Sequence, residues 1–355
     1  MKIALIADTH WGIKNDSSVQ HDHLNTFLDT VFFPTLHTHG INHVVHLGDI
    51  VDRRKYINYN TAKRLRHDFL NRLAHNQVKE MHIIAGNHDV FYKNTNEINA
   101  LEELIGTKYN NICIHTEPCE IRINEVPLLL LPWINDDNRQ RTQMALERTT
   151  AQIVLGHLEL VGFELFRGHV NTHGDDPSIF DGFDLVCSGH YHTRSNNGNI
   201  HYLGSPVQFT WSDYNDRKGF HILDLHTREL TFVPNPVDIF HKHFYDDLNK
   251  EMDDVLLFDA DKYKNCYVKV IVKNKTNPMW FDNVIDRIEK AGVADMQVVE
   301  DHLHLDLTQD DEIIDQAEST VAILHKYIDG MNINADKKRV ETIIQNLYSE
   351  ALTIG

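Results

Sequence analysis

The sequence lacks most of the features that would assign it to a class at a glance. Its four cysteines (Cys113, Cys119, Cys187 and Cys266) form no CxxC pair and are too few for a disulfide framework in 355 residues. No run of about 18 apolar residues could span a membrane. The opening Met-Lys-Ile-Ala-Leu-Ile-Ala is too short for a signal-peptide core and runs straight into Asp8 and His10. The expectation is a reduced, cytoplasmic protein with no membrane segment. There is no internal repeat, low-complexity tract or heptad array. A basic excess is also missing: the formal charge is −18. Taken alone, that balance argues against a nucleic-acid binder, which should show a basic footprint.

The acidity is unevenly spread. Residues 1–120 carry 12 Lys/Arg against 14 Asp/Glu, residues 121–235 carry 9 against 14, and residues 236–355 carry 13 against 24. More than half of the negative excess therefore lies beyond residue 235. With 41% hydrophobic residues the chain can bury a sizeable core, and its length allows two or three domains.

Short apolar runs stopped by Gly, Asp or Asn mark strands at Lys2–Ala7, His43–Leu47, His82–Ala85, Ile153–Leu155 and Leu185–Ser188. Helical patterns at His21–His39 and Tyr59–His75 lie between the early ones, which predicts a layered α/β domain. Further β-like runs cover Glu120–Leu131, Asn199–Leu203, Gly219–Leu225 and Glu229–Val233, with hairpin-like connections. Near Pro234 and Pro236 the texture changes, and Asp238–Lys262 is acidic and reads as an irregular linker or edge segment. A strand (Cys266–Val272), a helix (Asn277–Ala291) and a strand (Gln297–Leu307) then suggest a small α+β unit. Two amphipathic helices close the chain, one with Ile313, Ile314, Ala317, Val321, Leu324 and Ile328 on one face, the other with Val340, Ile343, Ile344, Leu347 and Ala351. The predicted division is 1–236, 237–308 and 309–355.

The chemistry is carried by the residues just past the strand ends. Asp8-Thr9-His10 comes after the first strand, Gly48-Asp49-Ile50-Val51-Asp52-Arg53 after the second and Gly86-Asn87-His88-Asp89 after the third. Gly156-His157 and Gly189-His190-Tyr191-His192 come after two later ones. The carboxyl ends of strands in an open α/β sheet are where ligand sites assemble. Singly, each motif reads equally well as a turn; five in order, each at a strand end, do not. Carboxylates, an amide and imidazoles without a thiolate suit Mn²⁺, Fe²⁺ or Zn²⁺ better than Ca²⁺ or a structural zinc. Seven side chains exceed the needs of one ion, so two ions sharing a carboxylate is the natural count.

These ordered motifs resemble those of the calcineurin-like metallophosphoesterases over residues 1–235. The resemblance implies a four-layer α/β fold, a β-sandwich flanked by helices, followed by the small α+β cap and the C-terminal helices. It implies one metal on Asp8, His10, Asp49 and His192, and a second on Asp49, Asn87, His157 and His190. It further implies that His88 protonates the leaving oxygen or stabilises the transition state and that Asp89 orients its imidazole. Two divalent ions are expected, Mn²⁺ first, with Mg²⁺, Fe²⁺ or Zn²⁺ as alternatives.

Within that superfamily, Arg54 stands where the Ser/Thr phosphatases have glycine, and Asp89 where they have glutamate. Tyr202-Leu203-Gly204-Ser205-Pro206 followed by Lys218-Gly219-Phe220 resembles the SbcD-type DNA-repair nucleases. The chain's compact length resembles the form that T-even-type bacteriophages encode for recombination. Cellular relatives often have histidine at position 52, which leaves the role of Asp52 open. The resemblance implies exonuclease action on duplex ends, endonuclease action on single-stranded or hairpin DNA, homodimerisation, and an SMC-like coiled-coil ATPase (SbcC-type) held by the C-terminal helices. Residues 48–72 add seven basic residues against three acidic ones, and Arg53, Arg54, Lys55, Arg64 and Arg66 are candidate DNA contacts. A solvated helix face explains Lys63–Arg72 equally well. The alternatives are a phosphatase or phosphodiesterase acting on other substrates, and a non-catalytic scaffold, which would be expected to have lost ligands.

Overall fold

The computed structural model describes residues 1–166 and 169–300. In chain order its strands are β1 (Lys2–Ile6), β2 (His43–His46), β3 (Glu80–Ile84), β4 (Ile112–His115), β5 (Cys119–Ile123), β6 (Val126–Leu131), β7 (Ile153–His157), β8 (Glu164–Phe166), β9 (His169–Val170), β10 (Leu185–Gly189), β11 (Ser195–Asn197), β12 (Ile200–Tyr202), β13 (Gly219–Asp224), β14 (Leu230–Pro234), β15 (Phe240–Asp246), β16 (Tyr267–Asn274) and β17 (Asp295–Glu300). Two six-stranded sheets dominate, ordered β14-β13-β1-β2-β3-β4 and β11-β12-β10-β7-β6-β5. In the first, β1 to β4 run parallel and β13 and β14 antiparallel. In the second, β6, β7, β10 and β12 run parallel between antiparallel edges.

The central strands are apolar almost without interruption because both of their faces are covered. Ile3, Leu5, Val45 and Ile84 of the first sheet pack against Leu128, Leu130, Ile153, Leu155 and Cys187 of the second. The opposite face of the first sheet, with Ala4, Ile6, Val44 and Ile83, meets Phe27, Phe32, Leu36, Phe69 and Leu73 from the helices. The outer face of the second sheet packs on Leu158, Phe163 and Phe180. The result is helix, sheet, sheet and an outer layer.

The two expected helices are present, each interrupted by a wider π turn. Ser18–Phe27 continues through Leu28–Phe32 into Phe33–His39, starting where Ser17 Oγ accepts the Gln20 N–H and ending at Gly40 with φ 62°. Tyr59–Arg64 continues likewise through Leu65–Leu70 into Asn71–His75.

Three points go beyond the sequence reading. The β-like run Glu120–Leu131 resolves into the hairpin β5–β6, turned at Asn124 and Glu125, whose φ values of 49° and 65° match a tight turn. Of the two readings of Asp238–Lys262, linker or edge segment, the second holds, since the segment contains β15, the edge strand of a three-stranded sheet, with Phe240 and Tyr245 buried. The helix Arg139–Arg148 was not expected, because of its side chains only Thr142 is buried and no apolar stripe announces it.

The parallel sheet β15-β16-β17, crossed by the helix Pro278–Lys290, forms its own core around Val268, Val270, Phe281, Val284 and Ile288. It is held to the sandwich by Gln208 Oε1, which accepts the backbone N–H of Ile239 and Phe240, and by Trp211 edge-on to Phe240. The C-terminal helices expected over 309–355, and the end of the strand expected over Gln297–Leu307, lie outside the described residues. Among the described residues all four cysteines are free, and no helix is long and apolar enough to cross a membrane.

Candidate metal centre

The strands β1, β2, β3, β7 and β10 all end toward one place, and the residues just past them converge there. Asp8, His10 and His192 bring ligand atoms within 4.8 Å of one another, and so do Asp49, His157 and His190. Asp49 Oδ2 lies between the groups, 3.6 Å from His10 Nε2 and 3.4 Å from His157 Nε2. Asn87 Oδ1 completes the second group, 2.9 Å from both His157 Nε2 and His190 Nδ1. His10 Nε2 and His192 Nε2 face each other at 3.0 Å.

The backbone is strained to achieve this. Asp8, His10, Asp49 and His190 sit at φ values of 51°, 43°, 55° and 88°, in the left-handed region that side chains avoid. Gly48 is needed because a Cβ there would lie 2.5 Å from His157 Nδ1, and one at Gly86 would overlap the Asp49 carboxylate.

The hydrogen bonds show that this donor set fits cations. His157 gives its Nδ1–H to the Leu47 carbonyl at 2.7 Å, which turns Nε2 toward an amide oxygen and a carboxylate oxygen, as a metal-binding imidazole would be turned toward its ion. Burial drives the Asp8 carboxyl up to about 7, reinforced by Asp49, although His157 opposes the rise. Burial would lower His157, yet Asp49 and Asp8 raise it to about 9. Burial also works to raise Asp49, but His157 and His10 hold it well below the usual carboxylate range. Protons are being drawn to where positive charge is needed. Divalent cations supply that charge directly.

His88 lies beside both groups, its backbone N–H donated to Asp49 Oδ1 at 2.7 Å and its ring 4.8 Å from that of His10. The expectation that Asp89 orients this ring is corrected. Asp89 Oδ2 accepts the N–H groups of Asp49 (2.8 Å) and Gly86 (2.9 Å), and Oδ1 accepts that of Val51 (3.1 Å). It therefore clamps the loops that carry Asp49. The His88 ring is held instead by the Asp52 carbonyl, 2.5 Å from Nδ1. Since a carbonyl only accepts, Nδ1 carries the hydrogen and Nε2 is free. The Asp52 carboxylate lies 3.4 Å from His10 Nδ1, so position 52 orients two imidazoles at once.

The basic candidates are placed differently from one another. Arg54 is half-buried, its Nη1 has no hydrogen-bond partner, and the charge it faces is that of Asp49. Lys55 is exposed. Arg53 is tied to Asp16 (2.8 Å) and Asn15 (2.9 Å) and lies over the Tyr56 ring. Arg64 is engaged by Asp22 (2.7 Å) and Asp68 (3.0 Å), and Arg66 by the Ala62 carbonyl at 3.3 Å.

Phe209 and Trp133 gave no separate signal in the sequence, and Lys218 entered only through the segment Lys218-Gly219-Phe220. Phe209 packs edge-on against His10 and His192, and Trp133 against His157. Lys218 is buried and donates to the His192 carbonyl at 2.8 Å while pairing with Asp213 (2.6 Å) and Asp216 (2.7 Å). It fixes the loop that presents His190 and His192.

Exonuclease subunit 1 of Enterobacteria phage T4 is 29% identical over 362 residues, 99% of this chain and 99% of that one. The D subunit of nuclease SbcCD from Staphylococcus epidermidis is 27% identical over 154 residues, 40% of this chain and 37% of that one. The crystal structure of a dimetal phosphatase from Danio rerio is 14% identical, aligning over 67% of this chain and 97% of its own with a TM-score of 0.39. The calcineurin-like phosphoesterase family matches residues 1–194, the segment that holds every residue of the two donor groups, and the chain belongs to that family.

Proposed function

We propose that this chain is the nuclease subunit of a DNA recombination and double-strand-break repair system. It holds two divalent ions, Mn²⁺ foremost, and cleaves phosphodiesters from duplex ends and in single-stranded or hairpin DNA. It works as a homodimer in the host cytoplasm with an SMC-like coiled-coil ATPase of the SbcC type. The observation that carries the reading is the pair of donor groups joined through Asp49, with the free Nε2 of His88 beside them. The step from phosphoesterase to DNA rests on likeness along the whole chain to a protein named as an exonuclease subunit.

Asp8, His10, Asp49 and His192 would hold one ion, and Asp49, Asn87, His157 and His190 the other. The ions supply Lewis acidity that polarises a phosphoester and acidifies the attacking water. His88, fixed at Nδ1 by the Asp52 carbonyl, presents Nε2 to stabilise or protonate the departing oxygen. Asp89 keeps Asp49 in place through three backbone hydrogen bonds. Arg54 offers its unpartnered Nη1 to a phosphate oxygen, with Lys55 alongside and Arg53, Arg64 and Arg66 further along the same basic stretch. The cap over 237–308 positions the substrate, and the segment 309–355 binds the ATPase.

The test is incubation with linear duplex and hairpin DNA in Mn²⁺, Mg²⁺ and chelator, with and without the candidate ATPase. Mn²⁺-dependent cleavage is expected, reduced about 10²–10⁴-fold in His88→Ala with metal content unchanged. No cleavage under any of these conditions refutes the nuclease reading. Full activity in His88→Ala refutes the role of that residue.

A further inference from the structure

A second cluster of metal-ligating side chains lies at the opposite ends of the same strands. Glu80 opens β3, whereas Asn87 and His88 lie past its far end, about 20 Å away at roughly 3.3 Å per residue. Glu80 and His82, two residues apart, project from one face of β3. The register places His43 of β2 opposite Glu80 and Cys113 of β4 opposite His82. Ligand atoms of Glu80, His82 and Cys113 come within 4.8 Å of one another. Glu80 Oε2 is 3.5 Å from His82 Nε2 and 3.9 Å from His43 Nε2, and Cys113 Sγ is 3.7 Å from Glu80 Oε1.

The observation that points to a ligand is His82 itself. It is 5% exposed, and its Nε2 is aimed at this cluster, where it meets only the Glu80 carboxylate, at 3.5 Å. Its Nδ1 is bonded at 2.9 Å to His115 Nε2, and His115 Nδ1 in turn meets Cys119 Sγ at 3.2 Å. The ring is therefore locked in orientation by its far nitrogen, as metal-bound imidazoles are by an outer partner.

We propose that Glu80, His82 and Cys113 form a binding site for one Zn²⁺-class transition-metal ion, separate from the catalytic pair. A carboxylate, an imidazole and a thiolate would supply three ligands of the kind such an ion takes. The ion would pin β3 and β4 together at the ends remote from catalysis, bracing the strand whose other end leads to Asn87 and His88. Binding releases the Cys113 thiol proton.

The thiolate makes the site distinguishable from the catalytic pair, whose donors include no sulfur. The full-length chain is titrated with Co²⁺ and followed by the near-ultraviolet thiolate-to-cobalt charge-transfer band. The band is expected in the parent and in Cys119→Ser, and absent in Cys113→Ser. Glu80→Gln, which preserves shape, should weaken the affinity read from the band at least roughly tenfold. A parent without the band, a band that survives Cys113→Ser in a folded chain, or unchanged affinity in Glu80→Gln overturns the proposal. If Cys113→Ser does not fold, the Glu80→Gln titration decides alone.

Discussion

Lys218 offers the sharpest test of how the site is supported, because one buried ammonium serves two purposes. It is 3% exposed and touches Asp213 Oδ1 at 2.6 Å, Asp216 Oδ2 at 2.7 Å and the His192 carbonyl at 2.8 Å. Burial acts to lower its pKa, but the two carboxylates raise it above the ordinary lysine value, so it is charged. Lys218→Met keeps the length and removes the charge. Asp213, 4% exposed at its side chain, then loses its counter-ion while Oδ2 keeps the N–H groups of Phe209 and Thr210. That partial rescue puts the loss at the low end for a broken buried pair, about 3 kcal/mol. The His192 carbonyl retains the Ser205 N–H, so its lost bond adds about 1 kcal/mol. Asp216 reaches solvent and adds little. The total of about 4 kcal/mol is roughly a thousandfold in the folded-to-unfolded ratio, read from urea unfolding curves. The double variant Lys218→Met/Asp213→Asn should recover about 2 kcal/mol of it. Mn²⁺ affinity should also fall about tenfold, since the His190–His192 loop is loosened. A Lys218→Met variant within 1 kcal/mol of the parent would refute the argument.

Asp49→Ala should reduce bound metal from two ions to none, because both donor groups share its carboxylate; retention of one full equivalent by elemental analysis of the dialysed protein would show that they are independent. Arg54→Ala should weaken DNA binding about tenfold and flatten its salt dependence while leaving metal content intact, and an unchanged salt slope would remove Arg54 from the phosphate contacts. Stability should fall on mild acidification, since burial lowers His23 to about 4 and His221 to about 3, whereas the unfolded rings titrate near 6.5. The unfolded chain takes up these protons first, so the contribution is complete above pH 6.5 and is lost below it at up to about 1.4 kcal/mol per pH unit per ring; an unfolding free energy that stays flat from pH 6.5 to 5, or a slope unaltered in His23→Gln, contradicts this.

The fold was legible where side-chain patterning follows burial. The near-unbroken apolar runs of β1, β2, β3, β7 and β10 are those of parallel strands covered on both faces, and they were found within a residue or two of their true bounds. What escaped was structure stabilised by only part of its surface. β15 buries Phe240, Lys242 and Tyr245 but leaves Phe244 exposed, so its sequence shows no simple apolar alternation. The helix Arg139–Arg148 rests on the outer layer through Thr142 and the partly buried Ala145 and Leu146, too thin a stripe to register as amphipathic.

The metal-centre candidates were legible for a topological reason: a residue just past the end of a parallel strand has only one place to go. The supporting contacts were not, because neighbours in sequence need not be neighbours in space. Asp89 was expected to steady His88, yet it turns to the backbone of Gly86, Asp49 and Val51, while His88 is held from the second strand's loop by Asp52. The cluster at Glu80, His82 and Cys113 demanded even more, since only the register of β4 against β3 sets Cys113 beside His82. The same distinction governs the acidity that first spoke against DNA. Net charge counts carboxylates without regard to the groups that face them, and in the first 120 residues it is nearly balanced. Asp8 and Asp49 are buried among imidazoles whose protonation already answers their charge, and two divalent cations would answer it in full. A loaded centre is then a cationic focus set in an acidic protein. Under the proposed function, that arrangement would attract a phosphodiester at one point and repel it elsewhere, leaving a partner to hold the rest of the DNA.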